Sequence, residues 1–136
     1  MNKRLLKIVS TLAIMIALGM LLIPHLLPES ATGSNLNTPV DPHKPTLIFF
    51  MNPQGAPCLL QKKILDGVLA EVSSVVNIHY AKVNDVVDQN LFYQHGIRGL
   101  PSLILVDTTG KEMHRFSAGI HEGKTIVDEI QTSLHH

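Results

Sequence analysis

A long apolar run, Ile8 to Leu27, follows a short basic segment that ends at Lys7. A helix of about twenty residues reaches the ~30 Å thickness of a bilayer core. Positive charge keeps the N-terminal flank inside, so the rest of the chain is expected outside the cytoplasm, in a bacterial periplasm or at the cell exterior. We interpret residues 1–27 as a signal-anchor. The alternative is a cleaved signal peptide, with small residues for cleavage at Ala31-Thr32-Gly33, which would leave the protein secreted.

Residues 28–45 lack any apolar period and are rich in Pro, Ser, Asn, Thr and Gly. Such a segment predicts a flexible tether. The folded domain is therefore expected to occupy residues 46–136.

The pattern after residue 45 alternates between strand and helix periods. Continuous apolar runs and period-2 stretches predict four strands at Thr46–Met51, Val75–Val83, Ser102–Val106 and Glu112–Ser117. Helical spacing predicts three helices, from Pro57 through Val72, from Val86 to His95, and from Glu122 to Leu134. The order β-α-β-α-β-β-α, with a tight turn at Thr108-Thr109-Gly110, implies an α/β domain. We predict a mixed four-stranded sheet flanked by three helices.

Composition removes several classes of function. The chain has one cysteine, which excludes an intramolecular disulfide and a multi-cysteine metal site. Its formal net charge is zero and it carries no long basic run after Lys7, which argues against nucleic-acid binding. The eight histidines show no helical pairing that would build a metal site. We predict neither a metal nor a cofactor.

Four pieces of the domain resemble the thioredoxin family. Gly55-Ala56-Pro57-Cys58 is similar to the family's Cys-Gly-Pro-Cys motif, placed after a strand and opening a helix. Ile64-Leu65-Asp66 follows at the family's interval, and Ala81-Lys82-Val83-Asn84 resembles the end of the next strand. Gly96-Ile97-Arg98-Gly99-Leu100-Pro101-Ser102 resembles the loop that carries the family's cis-proline. The family's extra N-terminal strand and helix have no counterpart, so the resemblance implies a trimmed thioredoxin-like fold.

The register of the motif decides its chemistry. The proline before Cys58 and the spacing to Ile64-Leu65-Asp66 favour Cys58 at the family's second, resolving position, with Gly55 at the nucleophilic one. The other register makes Cys58 the nucleophile of Cys58-Leu59-Leu60-Gln61, as in a monothiol glutaredoxin. Two further departures are Gln54, where the family has Trp, and Phe49, where it has a buried Asp.

The resemblance implies a monothiol redox protein with Cys58 as the catalytic residue. Its substrate-binding residues would be Gly55, Ala56, Pro57, Leu100 and Pro101. One sulfur cannot complete dithiol exchange, so a thiol-containing protein or peptide, or glutathione, would have to resolve the mixed disulfide. Three alternatives stay open: a buried structural Cys58, a redox-inactive module that binds peptides or proteins, and a homodimer linked through Cys58.

Overall fold

The structure, a computed structural model, describes residues 40–136. The signal-anchor and most of the tether predicted from the sequence lie outside these residues. Among the helices of residues 40–136, none combines the length and hydrophobicity that a membrane crossing requires. The elements in chain order are β1 (Thr46–Met51), α1 (Ala56–Gly67), α2 (Leu69–Val75), β2 (Asn77–Lys82), α3 (Gln89–Gln94), β3 (Ser102–Val106), β4 (Glu112–Arg115) and α4 (Gly123–Leu134).

The four strands form one mixed sheet in the order β2-β1-β3-β4. β1 pairs parallel to β2, with Thr46 opposite Asn77, and antiparallel to β3, with Thr46 opposite Val106. β3 pairs antiparallel to β4. The predicted mixed sheet of four strands is therefore confirmed. A helical crossover joins the parallel pair and a tight turn joins the last two strands.

Both faces of β1 are buried, which explains its continuous apolar run. One face carries Leu47, Phe49 and Met51, which pack with residues of α1, α2 and α4 into a first core cluster. The other face carries Ile48 and Phe50 in a second cluster, covered by residues that include Leu91 and Phe92 from α3. Covering helices on both faces exclude water from the central strand and make alternation unnecessary.

The prediction of three helices is wrong, because the first predicted helix is two. α1 ends at Gly67, and Val68 leaves the helical region with φ −112° and ψ 9° before α2 begins. The N-terminus of α4 lies against this break, since a Cβ added to Gly123 would stand 2.7 Å from Val68 Cγ1. The sequence hid the break because the apolar period continues through it.

The predicted helix from Val86 to His95 is also shorter, covering only Gln89–Gln94. Polar side chains hold the preceding segment in turns. Asp85 Oδ1 accepts a hydrogen bond from Val87 N at 3.0 Å, and Asp88 Oδ2 accepts one from Lys82 N at 2.8 Å. Aspartate side chains that bind nearby backbone N–H groups compete with helix formation.

The close approach at Gly123 gives a first prediction. Gly123→Ala is expected to lower the free energy of unfolding by about 1–3 kcal/mol, because the new methyl overlaps Val68. Urea denaturation of the purified protein measures this loss. Val68→Ala in the same chain should recover most of it, which a double-mutant cycle detects. Gly67→Ala is the control, since a Cβ there meets nothing within 4 Å. Equal effects of the two glycine substitutions would contradict the close approach.

Candidate functional site

Cys58 lies in the first turn of α1. Gly55 is the N-cap, with φ −85° and ψ 122°, and Pro57 follows in the first turn, where its missing N–H costs nothing. Cys58 is only 2% exposed and is the single free thiol of the chain. Its Sγ accepts a hydrogen bond from the backbone N–H of Asn52, 3.3 Å away, at the end of β1. The thiol is therefore held between the start of α1 and the end of β1.

The turn between β1 and α1 is stabilised by its own polar groups. Gly55 N donates to Asn52 O at 3.0 Å, and Gln54 N donates to Asn52 Oδ1 at 3.0 Å. An asparagine side chain that binds the backbone two residues later is a common turn device. This turn fixes where Gly55, Ala56 and Pro57 lie relative to β1.

Pro101 comes directly before β3, the strand next to β1. Phe50 pairs with Ser102, so Pro101 lies at the end of the sheet where β1 leads into the turn before α1. Pro101 is buried, and Leu103, two residues later, belongs to the same core cluster as Cys58. The Leu100–Pro101 peptide bond is cis. Cys58, in α1, and Pro101 thus lie at the same end of the sheet.

The segment that contains Pro101 is held by the loop after β4. Gly119 N donates to Pro101 O at 3.2 Å. Gly119 has φ 128°, a conformation that residues with a Cβ rarely adopt. Among residues 40–136, nothing hydrogen-bonds to the backbone N–H or C=O of Leu100. Leu100 therefore offers a free donor and acceptor beside the turn that carries Cys58.

Sequence reasoning missed Gln61, which lies one helical turn after Cys58 and is fully buried. Its Nε2 donates to His121 O at 3.2 Å, and its Oε1 accepts from His121 N at 2.6 Å. His121 Nε2 in turn lies 2.7 Å from Ser117 O. The sequence does contain a signal for this role, since Gln61 interrupts the apolar stripe of α1. A polar side chain on a buried face must find hydrogen-bond partners elsewhere in the fold.

The surroundings of Cys58 are apolar. Phe49 is fully buried in the cluster that contains Cys58, and its ring meets the edge of Tyr80 with centroids 5.8 Å apart. Burial raises the pKa of Tyr80, and the carboxylate of Asp66, which accepts from the phenol at 3.2 Å, raises it further. Tyr80 therefore stays neutral.

In the part of the chain that the structure describes, no group of three His, Cys, Asp or Glu side chains could hold a metal ion.

Solved structures with the same fold are found at low sequence identity. A thioredoxin-like protein from Clostridium perfringens matches with a TM-score of 0.59 and 22% identity, over 66% of this chain and 71% of that one. Thioredoxin-2, described as a component of the malaria parasite's protein secretion machinery, matches with a TM-score of 0.57 and 13% identity, over 65% and 82%. Chloroplastic thioredoxin z matches with 0.57 and 19% identity, over 69% and 81%.

No protein-family model matches the chain, and no curated protein does. The structural matches and the topology together define the class: the chain has a thioredoxin-like fold, in an α/β arrangement of four strands and four helices. The thioredoxin-like fold implied by the sequence resemblance is confirmed, with four helices in residues 40–136 in place of the three predicted.

Proposed function

We propose that this protein is a thioredoxin-fold redox protein that binds extended peptides and forms mixed disulfides through Cys58 alone. The observation that carries the proposal is that Cys58 and Pro101 lie at the same end of the sheet, where the backbone of Leu100 has no partner among residues 40–136. An extended peptide can add to such a free backbone edge as a strand would. Its cysteine would then lie next to the Cys58 sulfur.

The position of Cys58 in α1 supports the register in which it is the counterpart of the resolving cysteine. The N-cap position, which the family's first cysteine occupies, belongs here to Gly55. The alternative register would make Gln61 the second position, yet Gln61 is buried and fully hydrogen-bonded to His121. Both facts support Cys58 as the counterpart of the resolving cysteine.

The proposed reaction is a thiol–disulfide exchange in two steps, of which Cys58 carries out the first and an external thiol the second. The Cys58 thiolate attacks one sulfur of a peptide disulfide or of oxidised glutathione, and the S–S bond breaks. The leaving sulfur takes the electron pair and a proton, and a Cys58 mixed disulfide remains. A second thiol, from glutathione or a partner protein, attacks this bond and releases Cys58 as a thiol. Gly55 has no side chain that would add to the cover over Cys58, which is 2% exposed.

The burial of Cys58 favours a second candidate, a redox-inactive module that holds a peptide at the same backbone of Leu100. A thiol with 2% exposure among apolar side chains reacts slowly with reagents in solution. Peptide capture by Leu100 and Pro101 does not need the sulfur. The two candidates differ only in whether a covalent bond forms.

The proposal also includes the location. Residues 1–27 would anchor the protein in a membrane, with the domain held outside the cytoplasm by the tether. Cleavage after the apolar run would instead release it. The basic flank before the apolar run supports this orientation. Protease added to intact spheroplasts tests this orientation, with an antibody to the domain as the readout. The domain is expected to be digested, and a protected domain would contradict the proposed location.

Capture of a peptide thiol tests the reaction. A peptide whose cysteine is activated as a 2-thiopyridyl disulfide is expected to form a mixed disulfide with the native protein, visible as a mass increase on a non-reducing gel. Cys58→Ser should abolish the product, because Cys58 is the only cysteine. If the native protein forms no product while Cys58→Ser still binds the peptide, the redox-inactive module is correct. A product equal to twice the protein mass without peptide would indicate the covalent homodimer.

A further inference from the structure

A series of hydrogen bonds joins the helix that carries Cys58 to the loop beside Pro101. Gln61 lies three residues after Cys58, so the two side chains share one face of α1. The Gln61 amide binds both the N–H and the C=O of His121. The His121 ring then binds Ser117 O, which closes residues 117–121 into a compact loop.

The middle of this loop contacts the segment that carries Pro101. Gly119 N donates to Pro101 O at 3.2 Å, and Ala118 Cβ would lie 3.9 Å from a Cβ on Gly99. The His121 ring also packs on Phe116, with centroids 5.4 Å apart, and Phe116 belongs to the cluster of Cys58. The loop that holds Pro101 is thus attached to α1 through the buried side chain of Gln61.

Gln61 is the one buried polar side chain of α1 in a cluster that is otherwise apolar. Satisfied on both ends of its amide, it costs little to bury, but it holds its partners in one arrangement. A leucine of similar size would keep the packing and lose the connection. A leucine at position 61 therefore tests the geometry of the loop while it keeps the packing of the core.

We propose that Gln61 is a positioning residue that holds Pro101 and the neighbouring backbone of Leu100 in place for a peptide, by fixing Ser117–His121 relative to Cys58. This rests on the proposed function. An extended peptide that pairs with the backbone of Leu100 is the ligand whose binding this arrangement affects. A small disulfide reagent needs only the sulfur and does not use the backbone of Leu100.

Two probes separate these cases on the full chain. Gln61→Leu is expected to raise the half-saturating concentration of the 2-thiopyridyl-activated peptide about tenfold, the scale of losing hydrogen bonds to buried groups. The rate with 4,4′-dithiodipyridine should stay within about twofold, because the thiol itself is unchanged. Gln131→Leu, on the exposed side of α4, is the matched control and should leave both rates as in the wild type. Hydrogen exchange at Gly119 N–H should become faster in Gln61→Leu only.

Equal slowing with both probes, or no difference from Gln131→Leu, would overturn the role of Gln61. If Gln61→Leu fails to fold, Gln61→Glu takes its place, since it keeps an acceptor for His121 N and loses the donor to His121 O. A folded wild type that reacts with neither probe contradicts the proposed function instead. Hydrogen exchange then decides alone, and unchanged protection of Gly119 N–H in the variant overturns the inference.

Discussion

Gly55→Cys is expected to convert the protein into a dithiol reductase. The backbone at Gly55 is extended, and an added Cβ would meet Asn52 Cβ at 3.4 Å and Asn52 O at 3.5 Å, which are ordinary contacts. Residues three apart at a helix start lie about 5–6 Å apart, within disulfide reach. The new thiol would attack the substrate, and Cys58 would resolve the mixed disulfide within the same molecule. Turnover of a protein disulfide with dithiothreitol as reductant should rise at least about a hundredfold, because intramolecular attack has a high effective concentration.

Gly67→Cys is the matched control, since it adds the same thiol to the far end of α1, where a Cβ meets nothing. It should leave turnover at the wild-type level. Mass spectrometry should show the loss of two hydrogens in oxidised Gly55→Cys and none within a Gly67→Cys monomer. If Gly55→Cys forms its disulfide yet gains no turnover, the activity also requires the aspartate that the family has in place of Phe49 and the tryptophan that it has in place of Gln54. If no disulfide forms, Cys58 does not occupy the resolving position.

Asp88→Ala is expected to lower the free energy of unfolding by about 3 kcal/mol, or roughly 15 °C in Tm. The Asp88 side chain is only 7% exposed, and it accepts from Lys82 N at 2.8 Å while its other oxygen lies 2.9 Å from His79 Nε2. Because β2 is the edge strand of the sheet that residues 40–136 form, no strand within them can replace the carboxylate at the Lys82 N–H. The substitution would leave a donor without a partner at the end of β2. Urea denaturation followed by circular dichroism measures the loss.

Asp85→Ala and His79→Ala are the controls for Asp88→Ala. Asp85 Oδ1 binds only Val87 N in an exposed turn. The His79 side chain is 42% exposed, so water can replace its hydrogen bond to Asp88. Each control should cost about 1 kcal/mol or less. A loss from His79→Ala as large as that from Asp88→Ala would show that the bond to His79, and not the bond to Lys82, stabilises this end of the sheet.

The elements that sequence predicted well are those with a strong local period. β1 and β3 were found at their observed bounds because both are short apolar runs bounded by turns. α4 was displaced by only one residue, since its buried residues Ile126, Val127 and Ile130 recur at helical spacing. The local pattern was misleading where a distant contact intervened. Val68 continues the apolar stripe of α1, but the helix ends just before it, where Gly123 lies close to its side chain.

The residues of the candidate site also fall into those that the sequence predicted and those that only the structure revealed. Cys58 and Pro101 were predicted because each stands in a short sequence string that resembles the thioredoxin family. Gln61 and Asp88 were not, because each owes its role to a partner that the fold brings close. Gln61 binds a residue 60 positions away, and Asp88 binds backbone and side chain of a neighbouring strand.

By itself, the sequence determined the alternation of strands and helices, the single sulfur and its place at the start of a helix. These follow from side-chain period and residue identity, which act over a few neighbours. Only the tertiary structure decided that Cys58 is buried beneath the turn, that its sulfur meets Asn52 N–H, and that Gln61 ties α1 to the loop beside Pro101. Burial and long-range hydrogen bonds depend on how the elements pack, and no local pattern encodes that packing.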